Sequence, residues 1–157
     1  MQSFEAYRLA SRLHAGQVDK AGRPYIEHLA RVFVRVQALG GDSIQQIAAL
    51  LHDAIEDGRA TAEQLKWAGV PTAAVDLVVV LSKKKEESYA DYLKRVKAAP
   101  RAILVKWADL ADNGDPSRLA RLSDADAKRL SKKYAQASKF LAADESMATS
   151  EHLRQKA

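Results

Sequence analysis

The sequence predicts an all-α fold, an irregular multi-helix bundle built as a single domain. Three observations carry this. Apolar residues recur at helical spacing over long stretches. Aromatic residues make up only 6% of the chain, and seven glycines with four prolines leave few interruptions. At 157 residues there is room for one domain with a proper core and too little for two ordinary ones.

The elements follow in order. A first helix is expected from Phe4 to His14, ending near Gly16, and QVDKAGRP at 17–24 is expected to form a loop that turns at Ala21-Gly22. A second helix runs from about Tyr25 to Leu39, stopped by Gly40-Gly41. Ser43 and Gln46 make a capping-box signature for a third, which reads as helical to Asp57 before Gly58. Thr61 and Gln64 repeat that signature for a short helix ending near Gly69. Pro71 suits the first position of the next, which continues to about Ser82. KKKEE at 83–87 reads as a solvated link, followed by a helix from Ser88 to Ala98. Pro100 restarts the chain, which stays helical to Asn113 and stops at Gly114 and Pro116. A last helix spans about Asp124 to Ala143, so the domain is expected over 1–143, with the polar tail DESMATSEHLRQKA at 144–157 fraying.

Composition excludes several classes. Hydrophobic residues at 47% and charged ones at 29% belong to a soluble globular chain rather than a disordered one. The absence of cysteine rules out disulfides and thiolate metal sites and is compatible with a reducing compartment. The N-terminal MQSFEAYRLA lacks the pattern of a secretion signal, and the longest apolar run, Val75 to Leu81 broken by Asp76, is far too short to span a bilayer. A cytoplasmic protein with no membrane partner is expected. Lysine and arginine outnumber acids by 25 to 20, a net charge of +5, which favours anionic partners without choosing among them.

The first chemical signal is LLHDAIEDG at 50–58. On a helix turning about 100° per residue, Ile44, Ile47, Ala48, Leu51 and Ile55 share an apolar face. His52 lies at its edge, with Glu56 one turn on, and Asp53 and Asp57 form a second pair at spacing four. The C-terminal end of a helix carries the negative pole of its dipole and disfavours three carboxylates. A cation would offset them. A mixed imidazole–carboxylate set without sulfur suits Mn²⁺, Fe²⁺, Co²⁺, Mg²⁺ or Zn²⁺. The plain alternative is a solvated helix end with one buried histidine.

The second signal is AILVKWADLADN at 102–113. Ile103, Leu104, Trp107, Leu110 and Ala111 give a broad apolar surface into which Lys106, Asp109 and Asn113 are set as one polar stripe. An acid in so apolar a segment is costly unless paired or metal-bound, and an ion pair between Asp109 and Lys106 would also meet the requirement. His14 taken alone reads as a surface or capping histidine, and His28 in PYIEH as a core residue making one hydrogen bond.

HAGQ at 14–17, KAGRPYIEH at 20–28, LLHDAIED at 50–57 and VKWADLADN at 105–113 occur in that order. Together they resemble the HD-type hydrolase domain of the RelA/SpoT alarmone enzymes, in particular their stand-alone small hydrolases. The resemblance implies an HD-domain bundle around one Mn²⁺, or another divalent ion, held by His14, His52, Asp53 and Asp109. It implies that Glu56 and Asp57 position or deprotonate the attacking water, and that Lys20, Asn113 and Tyr134 lie against a nucleotide. The implied reaction removes the 3′-pyrophosphate of ppGpp or pppGpp and leaves GDP or GTP. The 157 residues are expected to hold this domain without the synthetase domain of the bifunctional members.

There are departures from the family pattern. The loop usually reads RKSGEP, whereas this chain has DKAGRP, so Asp19 replaces a basic residue and Arg23 an acidic one. A basic pair early in the first helix has no counterpart near Ser3 and Phe4, and GDPSRL follows Asn113 in place of an arginine- and threonine-containing turn. These differences leave open an HD-type phosphohydrolase acting on adenosine alarmones or nucleoside monophosphates. A basic nucleic-acid-binding bundle is a more distant alternative, because the basic stretches at 83–85, 94–106 and 128–139 are interleaved with acids and lack an aromatic platform.

Overall fold

The computed structural model describes residues 1–143; the polar tail expected at 144–157 lies outside the described residues. The described chain forms α1 (Ser3–Leu13), α2 (Tyr25–Ala38), α3 (Ser43–Leu51), α4 (Ala62–Trp67), α5 (Thr72–Leu81), α6 (Tyr89–Lys97), α7 (Pro100–Asn113), α8 (Pro116–Leu119) and α9 (Asp124–Ala142). Among the described residues the only extended pairing is an isolated bridge between Val18 and Pro24, which pins the two ends of the 17–24 loop together. The architecture is all-α, as expected.

α3 is the centre of the bundle and packs against α1, α2, α5 and α7. Its sequence dictates this: Ile47, Ala48, Ala49, Leu50 and Leu51 are consecutive and all buried, so the second half of the helix is apolar all round and needs neighbours on every side. α2 supplies Leu29, Val32 and Val36, and α7 supplies Ala102, Val105 and Ala108. The approach of α2, α3 and α7 is close at Gly41, where a β-carbon would sit 2.5 Å from Val36 Cγ1 and 2.9 Å from Leu104 Cδ2. Only glycine fits there.

Several helix ends shift by one residue from the sequence expectation, with Pro71 capping α5 instead of opening it, and α3 departs at both of its ends. The capping box of α3 lies one residue earlier: the Asp42 carboxylate accepts from the Gln45 amide, and the Gln45 side chain accepts from Asp42 N. More consequentially, α3 ends at Leu51 instead of Asp57, and residues 52–58 continue as turns. The Ala54 amide bonds back three residues to Leu51, and Gly58 takes a positive φ of 66°, letting the Arg59 amide reach Ala54. The acidic residues therefore sit in a tight turn beyond the helix. A short helix absent from the sequence reading, α8, starts where Asp115 caps the chain and Pro116 takes the first helical position.

Candidate metal centre

Three elements bring chemistry to one point. α2 carries His28 on the same stripe as Val32 and Val36, so the imidazole is driven inward with the core. α3 ends at Leu51 with His52 as its C-cap, and Asp53 follows directly. α7 carries Asp109 between the buried Ala108 and Leu110. Each of His28, His52 and Asp109 is at most 4% exposed, and they offer ligand atoms that all lie within 4.8 Å of one another. His28 Nε2 is 3.3 Å and His52 Nε2 3.5 Å from Asp109 Oδ1. Asp53 Oδ2 joins from the edge, 3.1 Å from His52 Nε2 and 3.7 Å from His28 Nε2.

The donor set fits a divalent ion. Ligands bound at about 2.0–2.2 Å in tetrahedral or octahedral geometry stand about 3.0–3.5 Å apart, close to the separations found. His52 Nε2 is buried and has no hydrogen-bond partner, a costly state for a nitrogen that a cation would resolve. Two carboxylates and two neutral imidazoles carry a charge of about −2, which one divalent ion balances.

The rings are held by their far sides. His52 Nδ1 donates to the Ala49 carbonyl at 2.8 Å, and His28 Nδ1 faces Asp112 Oδ2 at 2.7 Å. Both arrangements leave Nε2 as the inward lone pair. The carboxylates are steadied in turn. Tyr25 donates its hydroxyl to Asp53 Oδ2 at 2.6 Å, and Asp109 accepts from Lys106 Nζ and Asn113 Nδ2, both at 2.6 Å.

Electrostatics reflect the concentrated negative charge. Burial alone would push His28 down, but hydrogen bonds to Asp109, Asp112 and Asp53 outweigh it and raise the imidazole to about 10. His52 moves upward in the same way, its burial outweighed by the charge of Asp53 and by Asp109. Burial works to raise Asp109, yet Lys106 and the two histidines hold it below the usual carboxylate range. Imidazole protons and a divalent ion are alternative ways to neutralise this cluster.

His14, which the resemblance places among the ligands, is not brought to this group. Its ring is buried and its Nε2, like that of His52, has no hydrogen-bond partner, but the ring stacks on Tyr25 with centroids 5.3 Å apart, and its Nδ1 bonds to Gln17 Oε1 at 2.8 Å. Tyr25 in turn lies edge-on to His28, so a tyrosine ring stands between HAGQ and the cluster. The second imidazole of the group is His28 of PYIEH. The signal for it was present in the sequence: a histidine four residues before Val32 and eight before Val36 lies on a core stripe, and a buried imidazole there needs a polar partner.

A cavity of about 440 Å³ opens over the cluster, lined by Asp53, Glu56, Asp57 and Asp109 and by the cationic Lys20, Lys83, Lys106, Lys133 and Arg118. Asn113 and Tyr134 also line it, so the residues expected against a nucleotide share one wall system. Glu56 accepts from the Lys83 amide at 2.7 Å; the KKKEE link therefore folds back onto the site and is no mere solvated spacer. Burial, opposed by that hydrogen bond but helped by the charges of Asp53 and Asp57, pushes the Glu56 carboxyl up. Asp57 accepts from Gln17 Nε2 at 2.7 Å. Arg118 grips both sides of the rim: Nη2 bonds to Asp19 Oδ2 at 3.1 Å, and Nη1 bonds to Asp112 Oδ2 at 2.6 Å and Asn113 Oδ1 at 3.0 Å. Asp19 and Arg23, the two departures in the loop, are thereby accounted for, since Arg23 pairs with Glu27 at 3.0 Å.

Comparison with known proteins locates this arrangement. A family model described as "HD domain" matches residues 6–112. A GTP pyrophosphokinase of Streptomyces coelicolor is 37% identical over 120 residues, covering 71% of this chain and 14% of that protein. A guanosine-3′,5′-bis(diphosphate) 3′-pyrophosphohydrolase of Aquifex aeolicus is 38% identical over 115 residues, covering 69% of this chain and 16% of that protein. The matched stretch is thus less than a fifth of either relative's length. A solved structure described as "A metazoan ortholog of SpoT hydrolyzes ppGpp and plays a role in starvation responses" superposes with a TM-score of 0.70 at 23% identity, over 98% of this chain and 94% of that one. That last likeness is one of fold.

Proposed function

Because this chain belongs to the HD-domain family and is homologous to (p)ppGpp pyrophosphohydrolases, we propose that it is a metal-dependent phosphohydrolase removing the 3′-pyrophosphate of guanosine alarmones. Water and ppGpp give GDP and pyrophosphate; pppGpp gives GTP and pyrophosphate. The bond broken joins the 3′-oxygen to its phosphorus. Residues 1–143 form the catalytic domain in this reading. The observation that carries it is the convergence of two imidazoles and two carboxylates at one end of a cavity that also presents three further acids, Asp19, Glu56 and Asp57, and five cationic side chains.

His28, His52, Asp53 and Asp109 would hold the ion, and Mn²⁺ suits their mixed nitrogen and oxygen donors. Such an ion supplies Lewis acidity toward a phosphoryl oxygen and makes water more acidic. The protein's own residues do the rest. Glu56 accepts the proton of the attacking water, a task suited to a carboxylate whose basicity burial has raised. Asp57, fixed by Gln17, orients that water. Lys20, Lys83 and Lys133 offset the charge of the departing pyrophosphate, with Asn113 and Tyr134 flanking the nucleoside. Lys106, bonded to Asp109, serves the metal site first.

The test is to incubate purified protein with ppGpp and Mn²⁺, with and without EDTA, and to assay pyrophosphate. Pyrophosphate that disappears with EDTA supports the reading. Turnover confined to other nucleotides, giving pyrophosphate from adenosine alarmones or orthophosphate from nucleoside monophosphates, would transfer the site to the alternative substrates left open by the altered loop.

A further inference from the structure

We propose that Asp112 is a positioning residue of the metal centre: it fixes the tautomer and ring orientation of His28, and two arginines fix it. The proposal rests on the metal-binding reading above and is independent of the substrate. Asp112 is fully buried and lies outside the lining of the cavity, so it has no direct access to a nucleotide. It sits one turn beyond Asp109 on α7, which lets one helix face supply both a ligand and the anchor of a second ligand.

The contacts determine where the proton is. Arg31 donates Nε to Asp112 Oδ1 at 2.7 Å and Nη2 to Oδ2 at 3.2 Å, and Arg118 donates Nη1 to Oδ2 at 2.6 Å. A carboxylate so surrounded is ionised and only accepts. Arg118 Nη1 also stands 3.2 Å from His28 Nδ1, but its two protons point to Asp112 Oδ2 and Asn113 Oδ1. His28 Nδ1, 2.7 Å from Oδ2, therefore carries the proton. Nε2 is the nitrogen whose lone pair an ion takes up, displacing its proton, beside Asp109 and Asp53. His52 differs in kind, because its Nδ1 bonds to a neutral backbone carbonyl. A carboxylate partner makes His28 the more basic and more rigidly aimed of the two rings. A buried carboxylate with two guanidinium groups is a weak source of net stability, so fold maintenance alone accounts poorly for the cluster.

The experiment is calorimetric titration of metal-free protein with Mn²⁺ alone, on the wild type, Asp112→Asn, Asp112→Ala, His28→Gln and the Asp112→Asn/His28→Gln pair. Asp112→Ala is expected to weaken Mn²⁺ about 10–100-fold with the stoichiometry kept. Asp112→Asn, whose amide oxygen still accepts from Nδ1–H, is expected to lose less. In the His28→Gln background the Asp112→Asn change should alter affinity by no more than about twofold, because the residue it acts through is gone. Wild-type affinity in Asp112→Ala, or an equal loss from Asp112→Asn with and without His28, overturns the proposal. Should Asp112→Ala fail to fold, the isosteric Asp112→Asn and its cycle with His28→Gln decide the matter. Mn²⁺ binding that follows this pattern in a protein inert toward ppGpp would remove the substrate reading and leave the role of Asp112 standing.

Discussion

Glu56 stands where two demands meet: it must be ionised to accept a proton, and it must hold that proton tightly enough to be useful. Without an ion, partial desolvation and the charges of Asp53 and Asp57 push its carboxyl up; a bound cation pulls in the opposite direction and favours the ionised form that can act as a base. The ionised fraction falls as pH drops through its pKa, and kcat is expected to decline on an acid limb that Glu56→Gln removes, which a pH–rate profile measures. Glu56→Gln should lower kcat about 10²–10⁴-fold and leave Mn²⁺ affinity unchanged; full turnover in that variant would remove Glu56 as the base. His52→Ala should abolish Mn²⁺ binding and hydrolysis together. Residues of this kind were legible because they break a local rule: acids at a helix's negative end, an acid amid apolar neighbours. His14 and His28 were harder to tell apart, since each closes or opens an ordered motif and each is buried. The ring of Tyr25, which divides them, is a tertiary fact.

At the scale of the element, α3 and α7 do most of the positioning. Ile47 is 2% exposed on the face of α3 that meets its neighbours, and Ile47→Ala is expected to cost about 2–5 kcal/mol, read from the shift of a urea midpoint at constant slope. A loss below 0.5 kcal/mol would mean that the surrounding helices collapse into the space. α7 was readable from end to end, because Pro100 and Gly114 bracket an unbroken helical pattern. The end of α3 was not: LLHDAIED keeps helical spacing past Leu51, and only the back-bonding of Ala54 to Leu51 and the positive φ of Gly58 reveal that the chain has already turned. The four-residue α8 fell below what periodicity can detect, though Asp115-Pro116 marks its start.

For the whole molecule, the metal site ties α2, α3 and α7 together, and its ligands are distributed over the centre of the bundle. Removing a bound ion should therefore cost global stability. At a free Mn²⁺ concentration about 100 times Kd the ion contributes about 2.7 kcal/mol, and chelation with EDTA should lower Tm by about 5–10 °C in scanning calorimetry. An unchanged Tm would count against a site assembled in the native state. No helix among the described residues is long and apolar enough to cross a membrane, which agrees with the short apolar runs of the sequence. Arg118 has a further consequence at this scale. By clasping Asp19 on one side and Asp112 on the other, it ties the Lys20 loop to α7. The mouth is thus cast rather than moulded: a rim tied down at both sides has less ordering entropy left to lose when an anion binds at this edge.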